Sequence, residues 1–421
     1  MVLLADSRAR RSPHNAAFGG MSRTDRMKNP GGYDRRLIAW LSLAQLISWG
    51  SVFYTFALLL EPVERELGLT RAQSSLAFSL ALFAEGVCAY PVGRWIDRGH
   101  ERAVMTGGSL LVAAALAFHA SVRSYEAFLA TWLVLGAALS ATLYTPVFAV
   151  VTRRYPGDFR RAIITLTFLG GLASTVFIPV SAWLIAGWGW RAALLVLAAV
   201  HLLVCVPLHA LCLRDAPPPA APTQGGAHSP AALLRTAPFL LIAAFTFGTM
   251  AVAAAIPPHL ISLLRESGLH EAWVIALPAA IGLVQVLGRL LLFFFEHRLD
   301  LHTANRWIPV LIPLALGTLI AGAASPAAGL LFVLLYGLGN GMLTIVKGTA
   351  IAQYVNREHV AALNGALGMP SAVARAVAPA LLGMLWTQEA GYRWGLAVLF
   401  LLAVLAAGAL VLAQRKALLP R

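Results

Sequence analysis

The sequence predicts an all-α integral membrane protein of twelve transmembrane helices, arranged as two pseudo-symmetric halves of six. Three observations predict it. Of 421 residues, 59% are hydrophobic and 12% charged, where soluble domains run at about 45–50% and about 25%. The apolar residues gather into runs of roughly 20, the length an α-helix needs to cross a hydrocarbon layer about 30 Å thick. A stretch rich in Pro, Ala and Gly divides these runs six and six, and short motifs recur in both sets. A soluble globule is thereby excluded. The 32 Lys and Arg against 18 Asp and Glu read as a topology signal rather than as affinity for nucleic acid.

Residues 1–36 carry eight Lys or Arg and lack the apolar core of a signal peptide. They are expected to form a disordered basic cytoplasmic arm, with Met1, Met21 and Met27 as candidate starts. Segments 37–60, 74–96, 103–122, 127–151, 162–185 and 191–213 build the N-terminal half, 37–213. Residues 214–237 follow, and the run Asp215-Ala-Pro-Pro-Pro-Ala marks them as a cytoplasmic linker, since such a composition cannot form a packed element. Segments 238–263, 272–295, 307–324, 327–353, 361–386 and 394–414 build the C-terminal half, 238–414, and 415–421 are a cytoplasmic tail. Gly189-Trp190-Arg191 at the head of segment 6 is echoed by Gly391-Tyr392-Arg393 at the head of segment 12, and Gly93-Arg94 by Gly288-Arg289. Two halves in the same orientation make a parallel repeat about an axis normal to the membrane.

Orientation follows from the basic residues. Loops on the side of both termini hold 23 Lys or Arg, the opposite loops hold 6, and 3 lie inside spans, which places both termini and the linker in the cytoplasm. The 29 Arg against 3 Lys fit a GC-rich bacterial genome and hence an inner membrane. Cys88, Cys205 and Cys212 all fall in apolar runs without metal-like spacing and read as packing residues.

The first inner loop reads Gly93-Arg-Trp-Ile-Asp97-Arg98-Gly99-His-Glu-Arg102. It resembles the signature loop of the major facilitator superfamily, G-x-x-x-D-[RK]-x-G-x-[RK]-[RK], with Gly99 one residue early and Arg102 alone for the distal basic pair. The resemblance covers residues 37–414 and implies a transporter. It also implies that Gly93, Asp97, Arg98 and Arg102 form a cytoplasmic gate; a solvated positive-inside turn is the plainer reading. Gly93 is expected to permit close helix approach.

Charges inside the membrane are costly, about 2.5–3.5 kcal/mol each on insertion scales, and are functional candidates by default. With a rise of about 1.5 Å per residue, Glu85 and Arg375 fall near the midplane, while Arg289 and Lys347 fall towards the cytoplasm. Val284-Gln285-Val286-Leu287-Gly288-Arg289 resembles the helix-8 stretch of the monocarboxylate carriers, and Ala374-Arg375-Ala376-Val377 resembles the cationic helix-11 stretch of oxalate and formate exchangers. The resemblance implies that Arg289 and Arg375 hold a carboxylate substrate, as guanidinium geometry suits. Gln285 stands where the carriers have an acid, and one turn from Arg289 it can orient that side chain. Snorkelling to the headgroups is the plainer reading for Arg289 and for Lys347. Glu85 admits two readings, a structural ion pair with Arg375 or a proton-coupling carboxylate.

Segment 10 carries Tyr336, Asn340, Thr344 and Lys347 on one helical stripe, which should face water. The superfamily resemblance implies that helices 1, 4, 7 and 10 line the cavity, adding Gln45 and Trp49, Ser140 and Tyr144. His119, His201, His209 and His259 lie near span ends and read as interfacial or packing residues. The cluster Glu296, His297, Asp300 and His302 matches no catalytic or zinc pattern, and no phosphate-binding loop occurs.

The expectation is a secondary transporter of a small organic anion, a mono- or dicarboxylate, with symport or exchange both open. Its partners are the lipid bilayer, the substrate and protons; no cofactor, metal, nucleic acid or enzymatic activity is expected. Efflux of drugs or other small molecules is the alternative, disfavoured because segment 5 has only Gly170-Gly171 and Pro179 in place of the glycine-rich run of the drug antiporters.

Overall fold

The computed structural model describes residues 34–155, 159–215, 230–295, 301–322, 324–355 and 360–417. The expected basic arm up to residue 33, the linker at 216–229, the end of the tail at 418–421, and Glu296, His297 and Asp300 lie outside the described residues.

Among the described residues, eleven helices are long and apolar enough to cross a membrane. The fifth, Thr165–Cys212, has 48 residues, about twice what a bilayer requires. It breaks at Gly189, whose φ of 78° and ψ of 162° are not helical. Its two parts are spans 5 (165–188) and 6 (190–212), which makes twelve. The others are span 1 (Arg35–Leu67), span 2 (Arg71–Asp97), span 3 (Glu101–His119) and span 4 (Tyr125–Arg154). Span 7 (Ala237–Glu266), span 8 (Glu271–Phe295), span 9 (His302–Gly322), span 10 (Pro326–Tyr354), span 11 (Val360–Met384) and span 12 (Arg393–Arg415) complete the second half. No strand occurs among the described residues; Thr387 and Gly391 make one isolated antiparallel bridge.

Local chemistry sets the ends. Asp34 Oδ1 accepts the backbone N–H of Arg36 at 2.8 Å and caps span 1, and Thr70 with Gln73 forms a capping box at the head of span 2. The repeat is visible in backbone geometry. Gly68 (φ 64°) and Gly268 (φ 85°) turn the chain after spans 1 and 7, while Gly189 (φ 78°) and Gly391 (φ 53°) turn it before spans 6 and 12; only glycine takes these angles freely. Span 1 runs to Leu67 rather than 60 because Glu61 to Glu66 continue the helix beyond the apolar stretch. Pro230–Arg235, expected within the linker, forms a short 3₁₀ helix.

Each half has its own apolar core. In the first, Phe56 stacks on Phe78 at 4.5 Å and meets the edge of Trp132 at 4.7 Å. In the second, Phe245, Phe332, Tyr336 and Tyr354 are fully buried. The four histidines near span ends are core residues and not interfacial ones. His201 Nε2 meets Ser51 Oγ at 2.7 Å, His209 Nδ1 meets Ser109 Oγ at 2.9 Å, and His259 lies between the Pro379 carbonyl and the Tyr392 hydroxyl. His119 is packed against Phe128, Trp132 and Trp190.

Candidate functional site

A cavity of about 340 Å³ lies between the halves. Two seams of small residues place its charged groups, because helices approach closely only where side chains are small. Between spans 2 and 11, a Cβ on Gly86 would come 3.1 Å from that of Ala372, and one on Gly383 would come 2.3 Å from Ser75 Oγ. Ser79 Oγ accepts the Ala380 N–H at 2.9 Å across the same seam. There the Arg375 guanidinium donates to Glu85, Nη2 to Oε2 at 2.7 Å and Nη1 to Oε1 at 3.4 Å, a fork that suits two parallel charge-assisted bonds. Between spans 5 and 8, a Cβ on Gly282 would lie 2.5 Å from Ser174 Oγ and 2.6 Å from the Gly171 carbonyl, and Thr175 Oγ1 donates to the Ala279 carbonyl at 2.7 Å. Here Arg289 Nη1 donates to the Thr167 carbonyl at 3.0 Å, and its buried Nε has no partner among the described residues.

Span 10 supplies the stripe Tyr336, Asn340, Thr344 and Lys347, all four on the cavity wall. Lys347 Nζ lies 3.8 Å from Met250 Sδ of span 7. Gly341 lets span 10 sit against span 8, since a Cβ there would meet the Gln285 carbonyl at 2.3 Å. Span 1 contributes Trp49, Phe53 and Tyr54 from a π-helical turn, Trp49–Tyr54, a feature frequent at functional sites. That turn is pinned from its back: Thr55 Oγ1 meets Ser181 Oγ at 2.8 Å and Ser51 meets His201. Tyr144 of span 4 stacks on Phe148 at 5.2 Å and tilts against Trp49 at 5.3 Å. The wall is thus aromatic on the side of the first half and cationic towards the second.

Every residue expected to contact substrate, Trp49, Tyr144, Gln285, Arg289, Tyr336, Asn340 and Arg375, lines this one cavity together with Glu85. Other expectations are corrected. Gln285 does not orient Arg289, which bonds to the Thr167 carbonyl instead. Neither Arg289 nor Lys347 snorkels; both face the cavity. Gln45 and Ser140 turn into their own half, Gln45 Nε2 to the Thr142 carbonyl at 2.6 Å and Ser140 Oγ to the Ala137 carbonyl at 2.7 Å. Gly93 serves no close approach, as a Cβ there would meet nothing within 4 Å. Arg98 is exposed, and Arg102 Nε donates to the Ala210 carbonyl at 2.7 Å, within the first half. The side chain of Asp97 lies outside the described residues.

Two charged clusters were not anticipated. Glu101, inside the signature loop, is fully buried and pairs with Arg154 at 2.5 Å and Arg153 at 3.6 Å. At the end of the spans opposite both termini, ion pairs cross between the halves: Arg71 of span 2 to Glu266 of span 7 at 3.1 Å, and Arg265 to Glu61 at 2.5 Å. Arg71 also holds Glu64 at 2.9 Å and donates to the Tyr392 hydroxyl. The signal was present, since the ends of spans 1 and 7 carry the same Arg-Glu pair at equivalent places in the repeat, Arg65-Glu66 and Arg265-Glu266.

Two six-helix halves around a central cavity lined by charges from within the apolar spans define a multi-span membrane transporter. Residues 41–308 match the Major Facilitator Superfamily, and the chain belongs to that superfamily. It is similar to monocarboxylate transporter 13 of Bos taurus, 28% identical over 316 residues, which cover 66% of this chain and 68% of that one. It is also similar to the 2-nitroimidazole transporter of Escherichia coli (strain K12), 27% identical over 363 residues, 82% of this chain and 87% of that one. Among solved structures, a bacterial homolog of the human lysosomal transporter Spinster, inward-facing and occupied, superposes with a TM-score of 0.73 at 16% identity, covering 93% of this chain and 100% of that one. The nucleoside transporter NupG superposes with a TM-score of 0.65 at 16% identity, covering 90% and 98%.

Proposed function

We propose that the protein moves a small organic anion, a mono- or dicarboxylate, across the inner membrane of a bacterium by alternating access, with both termini in the cytoplasm. The observation that carries this reading is the charge of the cavity: Arg289, Lys347 and Arg375 face it with Glu85 as the one carboxylate among its lining residues. Excess positive charge in a cavity walled mainly by apolar and aromatic side chains is costly until an anion enters. Guanidinium groups add the geometry for carboxylate, and the likeness to a monocarboxylate transporter points the same way. Glu85 gives a route to proton coupling. A substrate carboxylate that takes over Arg375 frees Glu85 to accept a proton, and both then cross together. The outer ion pairs, Arg71 with Glu266 and Arg265 with Glu61, hold that side shut while the cavity serves the cytoplasm.

Thermal stabilisation of the purified protein tests the substrate class, because a ligand that binds only the folded state raises its melting temperature, by about 2.7 kcal/mol of stability at a hundred times Kd. Carboxylates are expected to stabilise the wild type and to lose most of that effect in Arg289→Gln and Arg375→Gln. Equal stabilisation of wild type and both variants, or stabilisation only by uncharged or cationic compounds, would overturn it. A second reading, efflux of a small neutral aromatic compound, draws on the aromatic wall of Trp49, Phe53, Tyr54, Tyr144, Phe148 and Tyr336 and on the likeness to a 2-nitroimidazole transporter; the same panel, with that compound included, separates the two.

A further inference from the structure

We infer that Lys347 is a second anchoring residue and that, with Arg289, it selects a dianion, a compact dicarboxylate, over a monoanion. The inference rests on the anion reading and adds valence to it. Of the three cavity cations, Arg375 is already satisfied: both of its terminal nitrogens are on Glu85, at 2.7 and 3.4 Å. That pair contributes no net charge while it is closed. Among the described residues, no carboxylate lies within ion-pair distance of Arg289 or Lys347. Among those residues Arg289 has one side-chain bond, to the neutral Thr167 carbonyl, and its buried Nε has none. Among the described residues Lys347 Nζ meets the Met250 thioether alone, at 3.8 Å, a weak acceptor that leaves the ammonium's other donors unused.

Both side chains face the same cavity of about 340 Å³, and Lys347 lies within electrostatic reach of Arg375 and Arg289. The closed site therefore carries two uncompensated positive charges on adjacent spans, 8 and 10, the seam made tight by Gly341 and Gly288. A single carboxylate would leave one of them unneutralised in a low-dielectric space, whereas a dicarboxylate compensates both, with the guanidinium and the ammonium each taking one end. The free donors fit that assignment, since Arg289 spends only Nη1, on the Thr167 carbonyl, and Lys347 offers its Nζ. The aliphatic middle of such a substrate would rest on the ring of Tyr336, which lines the cavity.

The experiment measures binding to the purified full-length protein by thermal stabilisation, with succinate and malonate against butyrate and acetate, and with sulfate as a dianion lacking carboxylates. In the wild type the dicarboxylates are expected to bind about ten- to a hundredfold more tightly than the matched monocarboxylates, as one added charge-assisted contact supplies. Lys347→Gln should abolish that preference and leave monocarboxylate binding within about threefold, while Lys347→Arg, which keeps the charge and controls for folding, should retain it. A preference that survives in Lys347→Gln, or a wild type that binds monocarboxylates as well as dicarboxylates, overturns the inference but leaves the anion reading standing. Binding of sulfate alone overturns the dicarboxylate assignment. Failure of every anion to stabilise the wild type overturns both.

Discussion

Arg71 and Glu266 join the two halves of the protein at the end opposite both termini, with 3.1 Å between Nη1 and Oε1. Arg71 reaches that position from the head of span 2 while also holding Glu64 and stacking over the rings of Trp386 and Tyr392 at 5.2 and 5.6 Å. One guanidinium thus fastens spans 1, 2, 7 and 12. With Arg265 on Glu61, these bonds must break if the cavity is to open outward.

Removing them is expected to favour the outward-open state. Glu266→Gln combined with Glu61→Gln should increase labelling of a Leu260→Cys reporter on the cavity wall by a membrane-impermeant thiol reagent added from outside, about three- to tenfold, as loss of about 1 kcal/mol of inter-half bonding allows. Unchanged labelling would show that apolar packing, and not the ion pairs, holds that side closed.

Glu85 and Arg375 share one fate. Glu85→Gln leaves a guanidinium on the cavity wall without its carboxylate and should lower stability by about 1–3 kcal/mol, below the roughly 3–5 kcal/mol of a fully buried pair because Arg375 is 28% exposed. The double variant Glu85→Gln with Arg375→Gln should recover part of that loss in a double-mutant cycle. If Glu85 carries the coupling proton, transport by Glu85→Gln in proteoliposomes will no longer respond to an imposed pH gradient; a gradient response equal to wild type sinks the coupling role.

The buried Glu101 gives a contrast within one loop. Glu101→Gln leaves Arg153 and Arg154 without their shared carboxylate and is expected to cost about 3 kcal/mol, whereas Arg98→Gln, at an exposed position, should change the melting temperature by no more than about a degree. Comparable melting curves for both variants would mean that the cluster adds nothing to folding.

Helix contact at the cavity depends on missing side chains. A Cβ on Gly136 would lie 2.0 Å from the Ala81 carbonyl oxygen, and one on Gly341 2.3 Å from that of Gln285. Gly136→Ala should destabilise by about 1–3 kcal/mol without touching the cavity directly. Gly341→Ala should in addition weaken ligand binding, because it pushes apart the two spans that carry Arg289 and Lys347. Wild-type behaviour in Gly341→Ala would show that the seam yields more easily than its geometry indicates.

The sequence by itself determined the number of spans, their division into two halves, and the stripe from Tyr336 to Lys347. Hydropathy over about 20 residues and a period near 3.6 are local properties, set by the bilayer and by helix geometry. It also marked the intramembrane charges, since an ionised group in hydrocarbon is conspicuous wherever it pairs. Partners were another matter. Glu101 looked like any loop residue until spans 3 and 4 enclosed it, and Gln285, one turn from Arg289, was a reasonable orienting residue until the Thr167 carbonyl of span 5 proved nearer. Gly93 met nothing, while Gly136 and Gly341, unremarked in the sequence, made the closest approaches to a neighbouring backbone among the described residues. Only the tertiary structure decided these points, along with the outer ion pairs between residues some 200 positions apart. The free energy of a buried charge depends on which distant groups the fold brings within hydrogen-bond reach, and no property of the residue alone records that.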